Sequence, residues 1–423
     1  MRPFFVFIRS LRVRPPGVCF AVPCQTCAFE PTVLTLRVPA IILRPYKKDI
    51  IDVRMSRELL GLFALAIVCI AISPFYRQAG LTRPSGLVHE STEIIPMKHI
   101  PQTKNPKTIV LLTDSFLPVT FAGSELSAYE TIKYLRSRGH NVIIFVKTWK
   151  VPEYDGFKMY QFDIADEFCR TSILGADAVF FQMDNRLELV EERTKPVFIF
   201  IHMVNSYPWL IQQKVNLPIV VVYNSRMTQD TLPTLYENMR MIPYVDTQKF
   251  RPIRELTVQN NVVCLINCNR NKGGELFNTL AKKMPDVQFL GVKGGYSGQV
   301  IEKNPPENLR YIENQKDITV VFKQIGILVM PSINETWGRT AVEAMASGVP
   351  VIHSEAGGLV ECVGGAGIMC GRNDEDAWMD AIRRIVADRA YRERLRQNGF
   401  RRVEEINQEQ ERGRRELASF VEH

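Results

Sequence analysis

"TIVLLTDSFLPVTFAGSELSAYETIKYLRSRGHNVIIFV", residues 108–146, decides the fold. A short continuous apolar run, TIVLLT, leads into a loop that contains Gly123. A segment with helical spacing, LSAYETIKYLRSRG, follows, and after His140-Asn141 a second apolar run, VIIFV, closes the unit. The order predicts strand, loop, helix, strand: one βαβ unit. Runs that are apolar throughout, rather than alternating, belong to a parallel sheet covered on both faces.

The series continues outward in ADAVFFQ (176–182), KPVFIFIH (195–202) and LPIVVVYNS (217–225). Residues 243–256, PYVDTQKFRPIREL, interrupt it with polar residues, two prolines and no period. A second α/β series then begins: NVVCLINC (261–268), GGELFNTLAKKM (273–284), VQFLGVKG (287–294), NLRYIE (308–313), IGILVMPS (325–332) and VPVIHS (349–354). A charged helical stretch from Asp374 to Leu417 ends the chain's pattern. The expected architecture is α/β: two Rossmann-like domains, 107–245 and 246–423, facing each other across a cleft. In such sheets ligands bind at the carboxyl ends of the strands.

Composition narrows the function classes. Of 423 residues, 46% are hydrophobic and 23% charged, an ordinary globular balance. The net charge of +8 is unevenly placed: residues 1–107 carry 15 Lys and Arg against 6 Asp and Glu, and the remainder 38 against 39. The globular part is neutral, which excludes nucleic acid as the expected partner. Among nine cysteines, Cys24 and Cys27 form a lone CxxC in an Arg- and Pro-rich stretch without the strand–helix context of a redox motif.

Leu59 to Tyr76 is an 18-residue run without charge, at the lower limit for a membrane span. Basic residues concentrate before it (Arg37, Arg44, Lys47, Lys48, Arg54, Arg57), which predicts an uncleaved signal-anchor with the N-terminus cytosolic. The expected organisation is an N-terminal extension (1–54), the anchor helix (55–78) and a stalk (79–106) ahead of the two domains. A single-pass protein of the Golgi or endoplasmic reticulum follows, with its C-terminal part luminal; cytosolic-facing membrane association is the alternative.

The loop most informative about chemistry is PSINETWGRTAVEAMASGVPVIHS, 331–354. The strand ends at Pro331-Ser332, and a helix is expected from about Trp337 to Ala346, stopped by Gly348 and Pro350. Glu335 lies at the strand's carboxyl end. Gly338 removes a side chain where first-turn amides would meet a phosphate. Glu343 lies about 12 Å along the helix, at roughly 1.5 Å per residue. Its neighbours Ala341, Val342, Ala344, Met345 and Ala346 are apolar. A buried carboxylate there needs a partner, and a vicinal diol such as a ribose would supply two donors; a solvated face is the other reading.

Glu335, Gly338, Glu343, Ala344, Met345, Ala346, Gly348, Pro350 and Val351, with EAGGLVECV (355–363) after the next strand, resemble the E-x7-E signature of the family 4 glycosyltransferases. These are retaining enzymes with the GT-B fold, and the resemblance extends over about residues 108–405. It implies a nucleotide-diphosphate sugar donor of UDP or GDP type as co-substrate, no cofactor and no metal, and a glycan, lipid or protein-linked acceptor. By that resemblance Glu335 touches the donor sugar and Glu343 the ribose. The backbone of Trp337-Gly338-Arg339-Thr340 holds sugar hydroxyls and phosphate, and Lys272 meets the diphosphate. Gly123 matches the loop that closes on the donor, and His202 the sugar-contacting histidine. The family's Arg falls near Asn267 here, a departure for which Arg270 is the candidate substitute. His140 is expected to be only a turn residue, and His353 is left open. Asp163 and Asp184 are isolated, and no Asp-x-Asp pair sits in a loop suited to a metal. Two rival readings remain: a GT-B relative such as a sugar phosphorylase or nucleotide-sugar epimerase, and a catalytically weak homologue that binds nucleotide sugars or glycans. A phosphorylase would bring a pyridoxal lysine, and none is marked.

Overall fold

The computed structural model describes residues 101–183, 187–205, 216–253, 260–295 and 298–423. The expected anchor Leu59–Tyr76, the CxxC of Cys24 and Cys27, and Asp184 lie outside the described residues. Among the described residues no helix is long and apolar enough to cross a membrane.

The opening βαβ unit forms as its sequence dictates. Strand β1 (Thr108–Thr113) leads into helix α1 (Gly123–Ser137), and β2 (Asn141–Val146) returns parallel to β1. The first sheet continues with β3 (Glu153–Tyr154), β4 (Phe157–Gln161), helix α2 (Glu167–Gly175), β5 (Ala178–Gln182), β6 (Val197–Ile201), β7 (Ile219–Tyr223), helix α3 (Arg226–Thr231) and β8 (Glu237–Arg240). Its order is β3-β4-β2-β1-β5-β6-β7-β8, parallel except for the β3/β4 pair. Every residue of β5, β6 and β7 is buried, as unbroken apolar strands require when both faces are covered.

The second sheet holds six parallel strands in the order β11-β10-β9-β12-β13-β14. They are β9 (Val263–Ile266), β10 (Phe289–Val292), β11 (Leu309–Ile312), β12 (Ile327–Met330), β13 (Val351–His353) and β14 (Ile368–Met369). The helices around them are α4 (Gly274–Lys283), α5 (Thr319–Phe322), α6 (Arg339–Ser347), α7 (Gly357–Val363), α8 (Glu375–Ala387) and α9 (Arg389–Glu422). Each sheet has an apolar cluster on either face, so both domains are three-layered.

Two sequence expectations shift. The helix expected from Trp337 begins at Arg339, because Gly338 adopts a left-handed φ of +114° and ends the loop there; Gly348, at φ +77°, stops the helix where expected. The single charged helix expected after Asp374 is two helices. Asp388 breaks it with an extended ψ of 94° and caps α9 by accepting from the Tyr391 amide at 2.8 Å.

Helix α9 also departs from the domain division read in the sequence. Its first part packs on the second domain, with Val403 and Ile406 in the cluster that holds α6. Its last turns join the core of the first: Leu417, Ala418 and Val421 pack with Ile109, Tyr134 and Leu135. Between the two, the Arg414 guanidinium lies 4.1 Å from the Tyr134 ring centre and 3.9 Å from that of Tyr244. At the end, Glu422 pairs with Arg138 at 2.7 Å and with His140 at 3.2 Å, while the His140 Nδ1 accepts the Lys107 amide at 3.1 Å. Leu417→Ala is therefore expected to lower the unfolding free energy by about 2–5 kcal/mol in urea titration. Glu404→Ala, on the exposed face of the same helix, should stay within about 0.5 kcal/mol. Equal effects from the two would contradict a structural role for the crossing turns.

Candidate functional site

Parallel strands deliver their carboxyl ends to one edge, and both sheets present that edge to the cleft. In the second domain, β9 ends at Ile266, just before Asn267, and β12 at Met330, just before Pro331. The loops that follow are stitched together. The Ile333 amide donates to the Asn271 carbonyl at 2.7 Å, and Asn271 Nδ2 donates to the Asn334 carbonyl at 3.2 Å. The contact is close enough to require glycine. Gly273 has φ +86°, and a Cβ there would lie 2.5 Å from both the Pro331 ring and its carbonyl oxygen.

This stitching brings Lys272 and Glu335 together. Lys272 Nζ is hydrogen-bonded and ion-paired to Glu335 Oε2, and their side chains are only 20% and 13% exposed. Close to Glu335 in the same loop, Gly338 precedes α6, which starts at Arg339. Its first intrahelical bonds run from the Ala341 and Val342 amides to the Gly338 carbonyl, so the amides of Arg339 and Thr340 precede them at the positive end of the helix. A lysine, a carboxylate and a helix N-terminus within two adjoining loops can receive an anion and orient a polar group beside it.

The other expected residues fall as follows. Trp337 is buried in the core at 2% exposure, so only its backbone can face a ligand. Glu343 is buried at 6%, but its partner is within its own helix: Arg339 Nε donates to Glu343 Oε1 at 3.1 Å. Burial pushes the Glu343 carboxyl up, and Arg339 and then Lys249 oppose that. Arg270 has a side chain 77% exposed and pairs with Glu275 at 2.9 Å. Asn267 adopts a left-handed φ of +67°, a conformation Asn tolerates better than Arg, and its Oδ1 accepts from Gln299 at 3.1 Å. His353 is buried at 1% with Nδ1 bonded to the Ser354 carbonyl, a place in the core. Gly123 begins α1 on an exposed face with open space around its Cα. Asp163 is exposed and takes part in its own turn, accepting from the Ala165 amide at 2.9 Å. Among the described residues, no group of three or more His, Cys, Asp or Glu is arranged to hold a metal.

His202 follows β6 at the facing edge of the first domain. Its Nε2 is buried without a protein hydrogen-bond partner, and burial lowers its pKa to about 4, so the ring is neutral at ordinary pH. Its carbonyl accepts from Thr336 Oγ1 at 2.8 Å, and Thr336 Oγ1 in turn accepts from Asn224 Nδ2 at 3.1 Å. Thr336 lies next to Glu335, so the loop bearing Glu335 is tied directly to the first domain. A second tie lies beside it. Glu361 on α7 accepts from the Arg226 and Met227 amides of α3 at 2.9 and 3.1 Å. Ser225 and Thr228 complete that helix start as a capping box.

Sequence reasoning assigned no role to Asn224, Thr336 or Tyr244, whose carbonyl accepts from Arg339 Nη1 at 2.6 Å. For Asn224 a signal existed: it is the polar residue that ends the apolar run IVVVY. Glu361 falls within the EAGGLVECV stretch of the resemblance, but a cap offered to another domain's helix leaves no local pattern.

Residues 253–402 match the family model described as Glycosyl transferases group 1. A D-inositol 3-phosphate glycosyltransferase of Nocardioides sp. is 35% identical over 109 residues, 25% of this chain and 22% of the relative. The sucrose-phosphate synthase of Spinacia oleracea is 28% identical over 155 residues, 36% of this chain and 14% of the relative. The chain thus spans less than a quarter of the length of these two curated relatives. Among solved structures, Anabaena HepE in complex with UDP-glucose superposes with a TM-score of 0.60 at 16% identity, covering 74% of this chain and 100% of that one. At that identity the likeness concerns the fold. Over residues 253–402 the chain is thus similar to the group 1 glycosyl transferases, and its two parallel-sheet domains match the GT-B fold.

Proposed function

We propose that the protein is a retaining glycosyltransferase of the family 4 type, moving a hexose-type sugar from a nucleotide-diphosphate sugar to a glycan, lipid or protein-linked hydroxyl. One observation carries this reading: Lys272 and Glu335 meet at the carboxyl ends of β9 and β12, beside the N-terminus of α6. A fold neighbour solved with UDP-glucose favours a UDP-sugar donor.

In this reading Lys272 and the first-turn amides of α6 neutralise the charge that develops on the departing diphosphate. A diphosphate competes with Glu335 for Lys272, which frees the Glu335 carboxylate to accept sugar hydroxyls. His202, held neutral, is suited to a hydrogen bond with the sugar rather than to proton abstraction. Glu343 holds the ribose.

A second reading has an observation of its own. Asn267 turns to Gln299 and Arg270 to Glu275, so neither of these two positions brings Lys272 the guanidinium that the resemblance leads one to expect. A nucleotide-sugar binder with weak turnover follows from that.

The experiment is titration of the protein with UDP, GDP and UDP-glucose, followed by sugar release. A ligand at 100 times its Kd should stabilise by about 2.7 kcal/mol. Lys272→Ala is expected to weaken UDP by roughly tenfold to a hundredfold, the scale of a lost charge-assisted hydrogen bond. Glu335→Gln should leave UDP affinity near normal while sugar release falls. Binding without release supports the second reading. If neither substitution changes affinity or release, the pair is structural only and the proposal is wrong.

His202 makes a separate prediction. Its folded pKa, about 4, lies below the ordinary 6.5. The stability it contributes is present above pH 6.5 and is lost as pH falls from there towards 4. The melting temperature should drop across that window, and His202→Gln should flatten the drop. An unchanged slope in the variant would place the acid sensitivity elsewhere.

A further inference from the structure

We infer that Arg339 is a positioning residue for Glu343: anchored to the Tyr244 carbonyl, its guanidinium fixes the buried carboxylate as an ionised acceptor for the nucleoside. The inference rests on the donor-site reading above. It concerns the Arg339 side chain, whereas the resemblance involves that residue only through its amide.

Three observations meet here. Glu343 sits among buried Ala341, Val342, Ala344 and Met345, so water solvates its charge poorly. Arg339, one turn earlier, donates from Nε to Glu343 Oε1 at 3.1 Å, and its side chain is itself only 14% exposed. Arg339 is not free to swing, because Nη1 is held at 2.6 Å by the Tyr244 carbonyl in the segment that joins the domains. The bond to Oε1 leaves Oε2 outside this pairing, on a carboxylate whose direction is set.

The surrounding charges match that role. Lys249, from the segment between the domains, is the other cation acting on Glu343. Arg396 of α9 is bonded to the Gly348 carbonyl at the far end of α6. Across the cleft, Glu130 on α1 faces Arg339, with Lys133, Arg414 and Asp246 acting on it in turn. Arg339 therefore acts on a carboxylate of each domain, and the one it bonds is the buried Glu343. Among the described residues, removing Arg339 leaves Glu343 with Lys249 as its remaining cation, and burial then drives its protonation further up the pH scale.

The test compares wild type, Arg339→Met, Arg339→Lys and the double variant Arg339→Met/Glu343→Gln in the full-length protein. UDP affinity by calorimetry and melting temperature are both read from pH 5.5 to 8.5. Arg339→Met should bind UDP about tenfold more weakly at pH 6 than at pH 8, relative to wild type, the scale of a lost charge-assisted hydrogen bond. Its melting temperature should fall more steeply with rising pH. A raised folded pKa gives stability that is present at low pH and lost as pH climbs through it. Arg339→Lys should restore both profiles in part, and the double variant should abolish both extra dependences. Should Arg339→Met not fold, Arg339→Gln carries the same comparison. Profiles of Arg339→Met that run parallel to wild type in both measurements overturn the inference. If wild type binds no UDP at any pH, the donor reading fails and the ribose role with it, while the melting curves still decide whether Arg339 keeps Glu343 ionised.

Discussion

One helix belongs to both sheets. The first turns of α9 lie in the second domain's core and its last turns in the first domain's, with Arg414 clasped between rings of Tyr134 and Tyr244 on the way. A helix of 34 residues is about 51 Å long at roughly 1.5 Å per residue, so it cannot bend cheaply over that crossing. The approach of the two strand edges is thus constrained from behind. Among the described residues, the hydrogen bonds at the edges themselves are few: the carbonyl of His202 and Asn224 Nδ2 on Thr336, and Glu361 on the amides of α3. Each is worth on the order of 1–3 kcal/mol. A stiff connection behind and a few polar bonds in front is an arrangement in which the front can open without the core paying a large cost.

The chemistry of the site depends on how its charges are placed. Lys272 and Glu335 neutralise each other at low exposure, as do Arg339 and Glu343. Unpaired, any of the four would be costly to bury. An anionic ligand can exchange for Glu335 on Lys272 because the exchange keeps the lysine paired. The second pair is different. Arg339 is tied to the backbone at Tyr244 as well, so it sets the direction of a carboxylate rather than giving it up.

Much of this was legible beforehand, for reasons that differ by residue. Strands apolar along their whole length announced parallel sheets, and Gly348 and Pro350 marked the end of α6, because those signals are local. The hairpin of β3 and β4 was legible but unread: Asp155-Gly156 is a two-residue turn in which both residues have positive φ, 48° and 73°, a strong short-range hairpin signal. The direction of Arg270 was not legible, since one residue's solvent exposure depends on Glu275 in the next helix. Nor was the partner of Glu343. Spacing at i and i+4 allowed Arg339, but the apolar neighbours drew attention to an outside donor instead. The crossing of α9 was hidden because its sequence is charged throughout, and apolar positions such as Leu417 and Val421 carry no mark of which domain they serve.

The terminal turn of α9 has a further consequence. Asn105 Nδ2 donates to the Glu422 carbonyl at 3.1 Å, and the Thr103 amide donates to the Arg138 carbonyl beside it at 2.8 Å. The place where the polypeptide enters the first domain and the place where it leaves are the same patch of surface. Joining residue 423 to residue 101 by a few flexible residues would close the two-domain body into a ring with little strain. The backbone could then be cut anew at an exposed loop, and the order of the two domains along the polypeptide could be rearranged while α9 kept both of its docking sites.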